Sequence, residues 1–142
     1  MARRAAPAIA GLPLPQGEPA PSLTKQEVAR LLGCPMNQIV RDSASLWGDR
    51  TKHQRLSEGH AWMLYCVACY RAKRYQVDGV GAVRREEILR FANSPEPVII
   101  AMVEAVGGSR ADFEQRLRAT LSQREVSRFR RGLELDITAI AL

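Results

Sequence analysis

Four side chains of types that bind zinc lie close together in the middle of the chain: His53, His60, Cys66 and Cys69. Zinc takes imidazole and thiolate ligands in tetrahedral sites. Cys66 and Cys69, however, fall inside a segment whose apolar residues recur at helical spacing, whereas structural zinc sites usually place such a pair in a turn. Buried cysteines act more often as small apolar residues than as ligands. We therefore predict no metal and no cofactor.

Carboxylate pairs that could serve as acid and base occur at Glu86–Glu87 and at Glu134 with Asp136. Both pairs lie on segments with helical apolar spacing, so solvated helix faces explain them. The sequence has no phosphate-binding loop, no H-E-x-x-H and no nucleophile elbow. We predict that the protein is not an enzyme.

The charge balance favours an anionic partner. The chain has 142 residues, a net charge of +6 and a pI of about 9.8, and most of its cations are arginine. Arginine suits phosphate and guanine, although an arginine- and alanine-rich chain also reflects a GC-rich genome. Three cysteines, an odd number, predict reduced thiols in a cytoplasm. No apolar run approaches the ~20 residues of a membrane span, so no membrane partner is expected.

The stretch from Leu23 to Val40 predicts two short helices around a tight corner. Thr24 and Glu27 form a T-x-x-E capping box, and Gly33 ends the first helix. Pro35 then fits the first turn of a second helix, predicted over Met36–Trp47.

This corner has the features of a helix-turn-helix. Ala29 supplies a small residue at the crossing, Gly33 the turn and Ile39 an inward apolar residue. The segment resembles the helix-turn-helix of the MerR and phage-excisionase group, whose sequences look like L-T-x-x-E-x-A-x-x-L-G. In that group a β wing follows, and residues 79–91 resemble it, although a long helix intervenes here. Asp42 also stands where that group usually has an apolar residue. Small terminase subunits of tailed phages resemble the general layout as well.

The resemblance implies binding of double-stranded DNA by a small phage, plasmid or bacterial regulator of transcription. The second helix would enter the major groove, and three of its residues would reach base edges: Asn37, Gln38 and Arg41. The expected phosphate contacts are Lys25, Arg50 and Lys52, with Arg84 or Arg85 at the wing. The alternative is that these residues are the solvated polar faces of a helical hairpin.

The remaining sequence predicts an all-α protein, or a mostly α protein with one short β-hairpin near Gly79. Residues 1–22 hold five of the eight prolines and are expected to form a flexible arm with Arg3 and Arg4 near its tip. Residues 23–142 are expected to form one helical domain, with the helix-turn-helix at 24–47, a long central helix over Arg55–Gln76, and a C-terminal helical bundle. The predicted later helices cover Arg84–Ala92 and Val98–Val106, then one from Ser109 and a last one opened by a capping box at Ser122 and Glu125.

The last predicted helix leaves a second class of function open. It carries an apolar stripe of Val126, Phe129, Leu133, Ile137 and Ile140, and beside it four arginines, Arg124, Arg128, Arg130 and Arg131. These arginines fit a solvated face, a phosphate-contacting face or an interface helix. The alternative to DNA binding is a helical adaptor that binds another protein, or a homodimer, through this helix and the arm.

Overall fold

The computed structural model describes residues 22–48 and 55–141, and of residues 132–141 it describes the backbone alone. Within those ranges the chain forms six helices and no β-strand longer than an isolated bridge, which confirms the all-α class. The helices are α1 (Lys25–Leu32), α2 (Met36–Trp47), α3 (Glu58–Asp78), α4 (Arg85–Ala92), α5 (Glu96–Ala105) and α6 (Arg110–Ala141). The arm predicted over 1–22 lies outside the described residues except for its last position. Arg50, Lys52 and His53 lie outside them too.

The first helix begins and ends as its sequence predicts. The Thr24 side chain accepts a hydrogen bond from the Glu27 backbone N–H at 3.0 Å, and the Glu27 carboxylate accepts one from the Thr24 N–H at 2.9 Å. These two bonds satisfy amide donors that a helix start leaves open. Gly33 ends α1 with a φ of 68°, a left-handed conformation that glycine adopts without steric cost.

The long helix α3, predicted over Arg55–Gln76, begins three residues later, at Glu58, and ends two residues later, at Asp78. Ser57 caps it, because its hydroxyl accepts from the His60 N–H at 3.1 Å while the Ser57 N–H donates to His60 Nδ1 at 3.3 Å. The helix continues through Asp78, and Gly79 ends it in the left-handed conformation. Most of α3 up to Val67 is buried, which confirms it as the central helix.

The β-hairpin predicted near Gly79 is wrong within the described chain. Tyr75 to Val77 belong to the last turn of α3 instead of a strand. The Asp78 carboxylate accepts from the N–H groups of Val80 and Gly81 at 2.8 and 3.1 Å, so a carboxylate organises this turn where a second strand was expected. The β-type pairing that is present lies elsewhere, in an isolated bridge between Leu23 and Leu56.

The predicted break before Ser122 is also absent, because α6 is one continuous helix of 32 residues. An S-x-x-E pattern caps a helix only when the serine backbone leaves the helical conformation. No glycine or proline lies between Arg110 and Arg131 to cause that departure. Arg124 also anchors this turn of α6 to α1, as described below.

The core forms where α3 meets α5, α6 and the α1–α2 corner. Phe113 is fully buried and packs at 5.4–5.5 Å from the rings of Trp62 and Tyr65. The Tyr65 hydroxyl donates to the Asp112 carboxylate at 2.7 Å and accepts from the Ser109 N–H at 3.2 Å. Burial first, then the bond to Asp112, raises the pKa of Tyr65 to about 12. This network joins the start of α6 to the middle of α3.

Buried His60 is expected to take up a proton at a lower pH than an ordinary histidine does. Burial lowers its pKa from 6.5, and its Nε2 atom is buried without a hydrogen-bond partner among the described atoms. Because the unfolded chain binds this proton first, the contribution of neutral His60 to stability is present above pH 6.5 and is lost as pH falls below it. An NMR titration of the His60 ring checks the shift, and a midpoint at or above 6.5 would contradict it.

Candidate nucleic-acid interface

The pair α1 and α2 packs as a compact helical corner. Val28, Ala29 and Leu31 are the buried apolar residues of α1, and Ile39 and Leu46 are those of α2. Ala29, Gly33 and Ile39 therefore occupy the crossing, turn and inward positions that the sequence assigned to them. The face of α2 opposite Ile39 is left for solvent or a partner.

That opposite face carries Asn37 and Arg41, both exposed and one helical turn apart, about 6 Å along the axis. Val40, on the same side of the helix, is 40% exposed. Neither Asn37 nor Arg41 has a side-chain hydrogen bond or an ion pair to any residue in the described ranges. A planar amide and a guanidinium on one open helix face can read base edges, and an aliphatic group beside them can contact a thymine methyl.

Gln38 and Lys25 are placed less favourably than the sequence suggested. Gln38 lies at the edge of the face, half-buried, and donates its side-chain amide to Asp42 at 3.1 Å. Lys25 is buried in the first turn of α1, and burial lowers the pKa of its ammonium group. A buried ammonium is not available to a phosphate, so we leave Lys25 out of the interface proposed below.

Asp42, which stands where the resembling group usually has an apolar residue, is the buried partner of an arginine on α3. The two Arg71 guanidinium nitrogens donate to its two carboxylate oxygens at 3.0 and 2.9 Å. The Asp42 side chain is only 5% exposed, against 24% for Arg71. This two-bond contact holds the inner face of α2 against α3, so a charge pair takes the place of an apolar contact.

The arginines expected at a wing stand instead on a helix that packs against α2. Arg84 and Arg85 are exposed at the start of α4, and Arg90 is exposed in its last turn. An ion pair between Arg74 and Glu87, with Glu87 also accepting from the Tyr70 hydroxyl at 3.3 Å, ties α4 to α3. The position of α4 is therefore fixed by side chains, and a helix stands where a β wing was expected. Arg90 was not identified from sequence, since the position of α4 beside α2 depends on tertiary packing.

Two arginines of α6 make intramolecular contacts with α1. Arg124 donates to both Glu27 carboxylate oxygens at 2.7 and 2.6 Å and to the Ser22 carbonyl at 2.9 Å. Arg116 donates to the Leu31 carbonyl at 3.1 Å, at the C-terminal end of α1. Because two of its three guanidinium nitrogens are bonded there and its side chain is only 18% exposed, we leave Arg124 out of a phosphate-contacting face. Arg128, Arg130 and Arg131 remain exposed.

The cysteine pair lies within α3, with Cys66 buried and Cys69 half-buried. Burial raises the pKa of the Cys66 thiol to about 12 and that of the Cys69 thiol to about 11, which disfavours the thiolate form that binds metals. His60 uses one ring nitrogen in the cap of α3. Among the described residues, no group of three or more His, Cys, Asp or Glu side chains could hold a metal ion.

No family model, no curated protein and no solved structure matches the chain. In the part of the chain that the structure describes, no helix has both the length and the apolar character needed to cross a bilayer.

Proposed function

We propose that the protein binds double-stranded DNA through α2, as a small helix-turn-helix regulator. The observation that carries this proposal is the open face of α2, where Asn37 and Arg41 are exposed on the side away from buried Ile39. A surface amide and guanidinium with no partner in the described chain are available to a ligand. The charge of +6 favours a polyanion as that ligand.

In this proposal the first turns of α2 enter the major groove. Arg41 would donate to the O6 and N7 atoms of a guanine, and Asn37 would pair with an adenine edge. Gln38 could join them only by leaving Asp42, so we give it a smaller part. Arg84 and Arg85, exposed at the start of α4, would contact phosphates beside the groove and fix the register. Arg50 and Lys52 stay predicted phosphate contacts outside the described residues.

Replacing Arg41 with alanine is expected to weaken specific DNA binding by roughly 10- to 100-fold without unfolding the protein, since one bidentate base contact is lost. Arg85→Ala should weaken binding to all sequences and lower the salt dependence by about one unit of slope. Fluorescence anisotropy on duplexes selected from a random library measures both, and circular dichroism checks the fold. Arg118→Ala removes an exposed cation of α6 and is the matched control, expected to bind like wild type. Absence of binding to any duplex at ~50 mM salt would end the proposal.

The second candidate is a helical adaptor that binds another protein, and Phe129, which is 67% exposed on α6, is the observation that favours it. Deleting residues 1–22 or 133–142 would then abolish co-purification of a partner. Retention of the partner after both deletions would exclude these segments as its contacts. Either function is compatible with the cytoplasm of a bacterium or of a phage-infected host cell, where the three free thiols would stay reduced.

A further inference from the structure

From Glu125 to Arg131, α6 lies outside the packed body of the protein. At 1.5 Å per residue, its 32 residues span about 48 Å. The contacts with α1 end at Arg124, and every side chain from Glu125 to Arg131 is exposed. Val126 and Phe129 are 42% and 67% exposed there. Exposed apolar residues that recur at helical spacing indicate a helix face that a partner covers.

The sequence continues the apolar positions along the remaining backbone of α6 at a regular spacing. After Val126 and Phe129 come Leu133, Ile137 and Ile140, so the steps between successive positions are three, four, four and three residues. These five positions form one stripe on the helix, since steps of three and four return to the same face. The series of steps is the same in both directions, with Leu133 at its centre. A two-fold axis at Leu133 would therefore superpose the stripe on a reversed copy of itself.

The charges of the segment are separated along its length. Arg128, Arg130 and Arg131 lie before Leu133, whereas Glu134 and Asp136 lie after it, with no cation beyond. Two parallel copies would place arginines beside arginines and carboxylates beside carboxylates. Two antiparallel copies place the basic half of one helix beside the acidic half of the other, which lowers the electrostatic energy.

We propose that residues 126–140 of α6 pair with the same residues of a second copy of the chain, antiparallel, about a two-fold axis at Leu133. Val126 of each copy then lies level with Ile140 of the other, and Phe129 lies level with Ile137. Such an isologous contact closes on itself and gives a dimer in place of a filament. The pairing does not depend on DNA binding, since none of its residues lies on α2 or α4.

Leu133→Asp is expected to turn a dimer of 15.8 kDa chains into a monomer, with the affinity of the dimer lowered at least ~100-fold, because the charge enters the contact twice at its centre. Thr138→Asp adds the same charge to the same segment away from the stripe and should stay dimeric. Light scattering during size-exclusion chromatography measures the mass over a range of concentrations. A wild-type protein that stays monomeric at every concentration would overturn the proposal, as would a dimer unaffected by Leu133→Asp. Circular dichroism of each variant shows that loss of the dimer is not loss of the fold.

Disulfide trapping tests the antiparallel order directly. Leu133→Cys should form a disulfide with its own copy. Val126→Cys should not link to itself, but should link to Ile140→Cys when the two variants are mixed and oxidised. Cys66 and Cys69 are poor competitors, because burial raises the pKa of both thiols. Efficient self-linking of Val126→Cys would show parallel helices and contradict the proposed order. The same dimer should form with Arg41→Ala, so a failure of the DNA-binding proposal would not affect the test of the dimer.

Discussion

Arg71→Ala is expected to lower the free energy of unfolding by about 3 kcal/mol, a large part of the stability of a domain of this size. Without Arg71, the Asp42 carboxylate, 5% exposed, keeps a single described hydrogen bond, from Gln38. A buried carboxylate that loses its cation pays the cost of desolvation without the attraction that offset it. Chemical denaturation of wild type and variant measures the difference.

Lys73→Ala is the matched control for Arg71→Ala, since it removes a cation two residues further along α3 that has no described partner. It should change stability by no more than about 0.5 kcal/mol. The double variant Asp42→Leu with Arg71→Met replaces both charges by apolar groups of similar length and should recover most of the loss. If Arg71→Ala costs no more than Lys73→Ala, the contact does not hold α2 on α3.

Glu27→Gln is expected to remove about 2 kcal/mol of stability at neutral pH and to flatten the dependence of stability on acid. The bond from Arg124, with help from the Thr24 N–H and against the effect of burial, lowers the pKa of Glu27 from 4.5 to about 2. The unfolded chain therefore takes up this proton first as pH falls. The stabilisation is complete above pH 4.5 and is lost progressively as pH falls towards 2.

The contribution of Glu27 is measured as the difference in unfolding free energy between wild type and Glu27→Gln. The carboxyls of Asp78, Glu87 and Asp112 also have lowered pKa values, so wild type loses stability in acid for more than one reason. Subtracting the Glu27→Gln curve from the wild-type curve of unfolding free energy against pH isolates the one carboxyl. Glu104→Gln, at an exposed glutamate of α5, is the control and should reproduce the wild-type curve. A parallel pair of curves for wild type and Glu27→Gln would contradict the role given to Arg124.

Local chemistry made the α1–α2 corner predictable. A capping box, a left-handed glycine and a proline each act within four residues of their own position, and the bounds predicted for α2 are confirmed. The two errors have different origins. The hairpin expected near Gly79 was wrong for a local reason, since the Asp78 carboxylate bonds the N–H groups of Val80 and Gly81. At the break expected before Ser122, a distant residue contributes, because Arg124 bonds Glu27, 97 residues away.

The features of the candidate site also divide into those that local sequence predicts and those that tertiary packing decides. That Asn37 and Arg41 share the outward face follows from helical spacing and the apolar pattern of α2. The pairing of Gln38 with Asp42, and of Asp42 with Arg71, depends on how α2 lies on α3. The burial of Lys25 and the position of α4 likewise depend on tertiary packing, which no local pattern encodes. The resemblance to the MerR and excisionase group remains a prediction from the first twenty residues of the helical domain.

The contacts of α6 with both ends of α1 also constrain the order in which the chain can fold. Arg116 bonds the last turn of α1 and Arg124 its first, yet both lie at least 85 residues further along the chain. During synthesis, α1 and α2 leave the ribosome long before α6 exists, and an eight-residue helix alone is marginal in water. The corner would therefore reach its final stability only after α6 has been synthesised. A fragment ending near Trp47 should then be largely unfolded, and the corner cannot be treated as an independent module.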